Sequence, residues 1–176
     1  HGAISMSTLT LQDLWSALTA EEKNDACLAF WEAKDHIIKE AHAPILQKLA
    51  THLRFRLVFL QKKNPQERST ILKRFIDKPD FHKFHDNVLR GWLLTKKRDL
   101  LVRFLDVQEM KHTDGLIHDA VPPPTVASLQ VGVKTILDEF PSKDVALYLG
   151  YLLLFGGDYW AALPDAVAVE GLDLKV

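Results

Sequence analysis

Cysteine is nearly missing from this chain. Cys27 is the only one, so no intramolecular disulfide can form and a cysteine-built zinc site is excluded. A lone thiol in an apolar stretch reads as a small core residue, since free cysteine is usually buried. Long apolar runs are missing too. The longest charge-free one, Val145–Phe155 (VALYLGYLLLF), falls well short of the roughly 20 residues that span a bilayer and reads as a central buried helix. Nothing after Met6 has the basic start and apolar stretch of a signal peptide. Residues 1–5 read as an expression scar ahead of a start at Met6. The expected compartment is therefore a reducing cytoplasm, with no membrane partner.

The usual catalytic signatures are also absent. There is no GxxxxGKS/T phosphate loop, no GxGxxG after a strand, no GxSxG elbow and no HExxH. Gly156-Gly157-Asp158 is explained by a helix stop, and Glu21-Glu22 and Asp138-Glu139 as solvated helix-end charges. No cofactor and no catalytic residue is assigned, and the chain is expected to be a non-enzymatic binding protein. A helix-turn-helix, zinc finger or RNA-binding sheet is likewise not to be found. With 47% hydrophobic and 26% charged residues, the chain has the composition of an ordinary folded domain rather than a disordered one.

What the sequence has is helix punctuation. Thr19-Ala-Glu-Glu22 is a capping box opening a helix through Cys27, Phe30 and Trp31 to about Asp35. Pro44 fits the first turn of the next helix, in which Leu46, Leu49, Ala50, Leu53, Leu57 and Leu60 follow the spacing of one buried stripe. Asn64-Pro65 starts another reaching about Ile76. Pro79-Asp80 separates it from a helix over residues 81–94, and Thr95 can cap one running to about Lys111. Residues 114–120 are expected to make one or two helical turns, ended by the stiff run Val121-Pro122-Pro123-Pro124. Residues 125–140 and 142–155 form the last long helices. Val167, Val169, Leu172, Leu174 and Val176 alternate as a strand would.

No βαβ rhythm or hairpin pattern is read, so the expected fold is all-α: an irregular bundle of about seven to nine helices. Polar caps at Thr19, Asn64, Thr95 and Ser142 leave a short solenoid-like stack of helix pairs as the alternative. Residues 6–164 are assigned to one helical domain and 165–176 to an extended or flexible tail.

A net charge of −1 hides strong segregation. Residues 48–103 hold fifteen Lys/Arg against five Asp/Glu, whereas the flanking parts are both acidic, a pattern that points to a polyanion partner. On a helical wheel Lys48, His52, Phe55, Phe59, Lys62 and Lys63 fall opposite the leucine stripe. Basic side chains around two rings can meet phosphates while the rings stack on unpaired bases. The candidate nucleic-acid-binding residues are Lys48, Phe55, Phe59, Lys62, Lys63, Arg68, Lys73 and Arg74, with Lys96, Lys97, Arg98 and Arg103 as an extension. The competing reading places Phe55 and Phe59 against a second helix layer. The expected partner is single-stranded nucleic acid or an acidic protein. A helical adaptor or oligomerisation subunit, self-associating through Val145–Phe155, is the alternative.

Two histidine groups remain. His82-Lys-Phe-His85-Asp86 supplies part of a metal site with no third ligand fixed by spacing, and no metal site is assigned. Leu116-Ile117-His118-Asp119 resembles the central doublet of HD-domain metal phosphohydrolases, which are also all-helical. That resemblance implies an earlier histidine, here His85, and a later aspartate, Asp144 or Asp158, holding metal that activates water. The doublet departs from the family by running almost at once into three prolines.

Overall fold

The computed structural model describes residues 9–172 and Leu174. The residues taken as an expression scar, and Val176 of the tail, lie outside that set. The described residues form ten α-helices and one two-stranded hairpin, an all-α fold in two compact units. One is Leu18–Lys96; the other combines the residues up to Ala17 with those from Lys97 onward.

In the unit Leu18–Lys96, α2 (Ala20–Glu32) packs against α3 (His36–Leu53), α5 (Pro65–Lys73) and α6 (His85–Lys96), with the short α4 (Leu57–Gln61) following α3. Thr19 caps α2 through the expected box, and Asn64 caps α5 the same way, with Pro65 in its first turn. Phe30, Ile38, Leu49, Phe81, Val88 and Trp92 build the core. Gly91 permits a close approach in it: a Cβ there would stand 3.3 Å from the Phe30 backbone. Asp35 caps α3 by accepting from Ile38 N–H and also receives two bonds from Arg90 of α6 (3.3 and 3.0 Å).

The second unit holds α1 (Leu11–Ser16), α7 (Arg98–Asp106), strands β1 (His112–Thr113) and β2 (Leu116–Ile117), α8 (Val126–Glu139), α9 (Ser142–Phe155) and α10 (Leu163–Glu170). Helix α8 packs on α7, α9 and α10, and α1 lies along α9. Gly132 sits where α8 meets Phe104 and Gln108, too close for a Cβ.

Several local expectations are corrected. Pro44 is inside α3, because the Asp35 cap starts that helix at His36; the helix forgoes one bond there. The leucine stripe does not belong to one helix: α3 ends at Leu53 and α4 begins at Leu57. Residues 79–84 are a 3₁₀ helix ahead of α6, and Thr95 is inside α6, its hydroxyl bonded back to the Gly91 carbonyl. Ser142 is the first helical residue of α9 and caps nothing. With two of its four caps gone, the solenoid-like period has no basis.

Residues 112–117 pair as a hairpin rather than a helical turn. Asp114 and Gly115 adopt φ of 51° and 94°, the two positive values of the tight turn that Asp-Gly favours. The supposed tail is helical through Glu170. Leu163, Ala166 and Val167 are buried at i, i+3, i+4, whereas Val169, on the supposed inner side of a strand, is 64% exposed. Helix α9 is buried only in its middle. Val145–Gly150 are inside, Tyr151–Leu154 are half-buried, and Phe155 is exposed.

Candidate functional site

The break between α3 and α4 is made by Arg54. It adopts the left-handed conformation (φ 57°, ψ 37°), a position usually filled by glycine. Its N–H bonds the Thr51 carbonyl and Phe55 N–H bonds the Ala50 carbonyl at 3.0 Å. These two bonds satisfy helix-end carbonyls and turn the chain sharply. A non-glycine residue held there costs roughly 1–2 kcal/mol.

The turn throws Phe55 outward. The five residues of α4 then bury Leu60 while leaving Val58 and Phe59 outside; Phe55, Val58 and Phe59 are 50%, 44% and 56% exposed. Neither phenylalanine ring contacts another ring among the described residues. Arg54 and Arg56 flank Phe55, Lys62 and Lys63 follow Phe59, and no Asp or Glu occurs between Glu40 and Glu67. The result is a projecting knuckle, basic and aromatic, free of acidic residues along its own stretch of chain.

Arg68 holds the knuckle from behind. From α5 its guanidinium donates to the carbonyls of Leu60 (3.3 Å) and Gln61 (2.8 Å), closing the C-terminus of α4. The same group lies over the Trp31 ring, 5.4 Å from its centroid. Arg68 thus has a structural task in place of the ligand contact expected for it.

The eight candidate residues separate accordingly. Phe55, Phe59, Lys62 and Lys63 come together around α4, with Lys63 also 3.9 Å from Glu67. Lys48 is half-buried one and a half turns back along α3. Lys73 and Arg74 are exposed at the opposite end of α5, about 13 Å from its start by helical rise. Lys73 borders a shallow 160 Å³ recess with Lys23, Asn24 and Asp77, and Arg74 lies over the Phe75 ring. His52, expected on the same face, instead pairs with Asp80 at 3.4 Å and sits against Phe75 and Phe81. Arg54 and Arg56 were missed from sequence: a continuous helix would carry Arg54 away from the Phe55 face, and Arg56, four residues after His52 and three before Phe59, would lie only at its edge.

Three other basic groups are paired with carboxylates, the Arg103–Glu139 pair at the surface. Lys97 pairs with Asp144 (3.0 Å), Arg103 grips Glu139 with two 2.9 Å bonds, and Arg90 holds Asp35. No carboxylate pairs with Lys48, Arg54, Arg56, Lys62 or Lys73 among the described residues.

The candidate chemistry elsewhere has structural partners. His85 is fully buried and its Nε2–H donates to the Ile76 carbonyl at 2.6 Å; burial pushes its pKa down to about 4 and keeps it neutral. His82 bonds the Asp77 carbonyl, so the two histidines tie the start of α6 to the turn after α5. His118 bonds the Thr113 hydroxyl at 2.8 Å across the hairpin ends. With Asp119, Tyr159 and Trp160 it lines an open 270 Å³ pocket. Among the described residues no three His, Cys, Asp or Glu side chains are grouped to hold a metal. Cys27 is buried and its thiol is pushed up to about 12, which suppresses the thiolate. No helix among the described residues is long and apolar enough to cross a membrane.

Comparison with known protein families, with curated proteins and with solved structures finds no match for this chain.

Proposed function

We propose that this chain is a non-enzymatic binding protein whose ligand is nucleic acid, engaged through phosphate contacts at the knuckle over residues 54–63. One observation carries the reading. The basic side chains Arg54, Arg56 and Lys62 are exposed without an ion-pair partner among the described residues, in a stretch that contains no acid between Glu40 and Glu67. By contrast Arg90, Lys97 and Arg103, later in the basic segment, are paired with carboxylates. Arginine at two of these positions suits phosphate, because its planar fork meets phosphate oxygens through two donors.

The test is a fluorescence-anisotropy titration of a labelled 12-nucleotide strand at low salt. The triple change Arg54→Glu, Arg56→Glu, Lys62→Glu is expected to abolish binding with the helical spectrum intact. A control with the same charge change elsewhere, Lys34→Glu, Lys39→Glu, Lys134→Glu, is expected to retain most of it. Equal losses in both variants would reduce the effect to net charge and remove the reading.

A second reading has its own observation. The end of α9 leaves Tyr151–Leu154 half-buried and Phe155 exposed, a surface suited to association between copies. Sedimentation equilibrium of the wild type and of Phe155→Ser distinguishes a dimer held by this surface from a monomer.

A further inference from the structure

We infer that the ligand at the knuckle presents unpaired bases, and that these stack on the exposed rings of Phe55 and Phe59. This rests on the nucleic-acid reading above and narrows it to single strands. Phosphate contacts alone require only the cations, and leave unexplained why two phenylalanine rings stand half out of water beside them. Each ring lies next to cations in the chain: Phe55 between Arg54 and Arg56, Phe59 three residues before Lys62-Lys63. A single strand offers phosphates and flat base faces together, and every base has a face to stack, so such recognition tolerates any sequence. In a duplex the base faces are already stacked on one another and only groove edges are open.

Area decides between bases and a protein partner. A phenylalanine carries on the order of 150–250 Å² of buriable surface. Two half-exposed rings and Val58 therefore offer about 250–300 Å² of apolar surface, below the roughly 450 Å² of apolar surface that each partner contributes to a standard protein–protein interface. Stacked bases need no more than the rings themselves. The segment that carries the rings is anchored: Leu60 is buried and Arg68 bonds the Leu60 and Gln61 carbonyls.

The experiment uses the whole chain, a 12-nucleotide strand containing 5-iodouracil, and a blunt duplex with the same number of phosphates. The wild type is expected to prefer the strand at least about tenfold. Phe55→Ala and Phe59→Ala are each expected to weaken strand binding roughly 5- to 100-fold, while duplex binding stays unchanged. Irradiation of the wild-type complex is expected to give crosslinks that peptide mass spectrometry maps to Phe55 or Phe59. Crosslinks confined to other segments, equal loss on strand and duplex, or no loss on either would overturn the stacking while leaving the phosphate reading in place. Wild type that binds neither nucleic acid, or binds poly-glutamate equally well, would overturn both.

Discussion

Arg68 Nη2 stands 2.8 Å from the carbonyl oxygen of Gln61, joining α5 to the end of α4 by a charge-assisted bond. With the second bond to Leu60 and the Trp31 ring beneath it, this contact sets where the knuckle projects. Removal by Arg68→Ala is expected to destabilise the chain by about 1.5–3 kcal/mol in urea unfolding, the range for bonds to charged groups. Amide hydrogen exchange over residues 57–63 should rise more than elsewhere. Arg68→Lys is expected to restore only part of the protection, since an ammonium cannot span both carbonyls as the guanidinium fork does.

The exposure of the two knuckle rings separates binding from stability. Phe55→Ala and Phe59→Ala are expected to shift unfolding by about 1 kcal/mol each, half the transfer value of a fully buried ring. Phe81→Ala, in the core of the same unit and fully buried, is expected to cost about 3–5 kcal/mol. Chemical denaturation of the three variants measures this directly. A core-like loss at either knuckle residue would mean that its ring is packed.

Acid is expected to act through His85. Burial holds its folded pKa at about 4, below the ordinary 6.5, so the unfolded chain takes up the proton first. The stabilisation is complete above pH 6.5 and is lost as pH falls from there to about 4. The full loss is about 3 kcal/mol by linkage. His42, also depressed by burial, adds in the same direction, whereas Asp86, raised by burial, opposes it in the lowest part of the range. Urea midpoints measured between pH 7 and 4.5 should fall in the wild type. The fall should be clearly shallower in His85→Gln, which keeps a donor for the Ile76 carbonyl but has no titrating group there.

Local chemistry was legible in the sequence wherever it acted over a few residues. The capping box at Thr19 and the Asn64-Pro65 start both stand as read, as does the helix stop at Gly156. The turn at Arg54 was not legible, because no glycine or proline marks it and the leucine spacing continues through it from Leu53 to Leu57 and Leu60. That break decides the site: it carries Phe55 off the helix and aims it at solvent. The Asp114-Gly115 hairpin was legible in principle, yet the prolines after it drew the reading toward a helix end.

Charge was half legible. The segregation over residues 48–103 is visible in the sequence. Which cations meet carboxylates is not, since Asp144 lies 47 positions from Lys97 and Glu139 lies 36 from Arg103. Folding pairs Arg90, Lys97 and Arg103 with carboxylates and leaves Arg54, Arg56, Lys62 and Lys73 without one among the described residues. The proposed nucleic-acid site is correspondingly smaller than the segment that suggested it.

The salt dependence of binding tests that site most directly. Each phosphate neutralised on a single strand contributes about −0.7 to the slope of log affinity against log salt. Wild type titrated with a 12-nucleotide strand between about 50 and 200 mM salt is expected to show a slope of −2 or steeper. In Arg54→Ala, Arg56→Ala, Lys62→Ala the slope is expected to flatten by about 2, three phosphate contacts being lost. A flat wild-type slope, or an unchanged slope in the triple variant, would contradict phosphate binding at the knuckle.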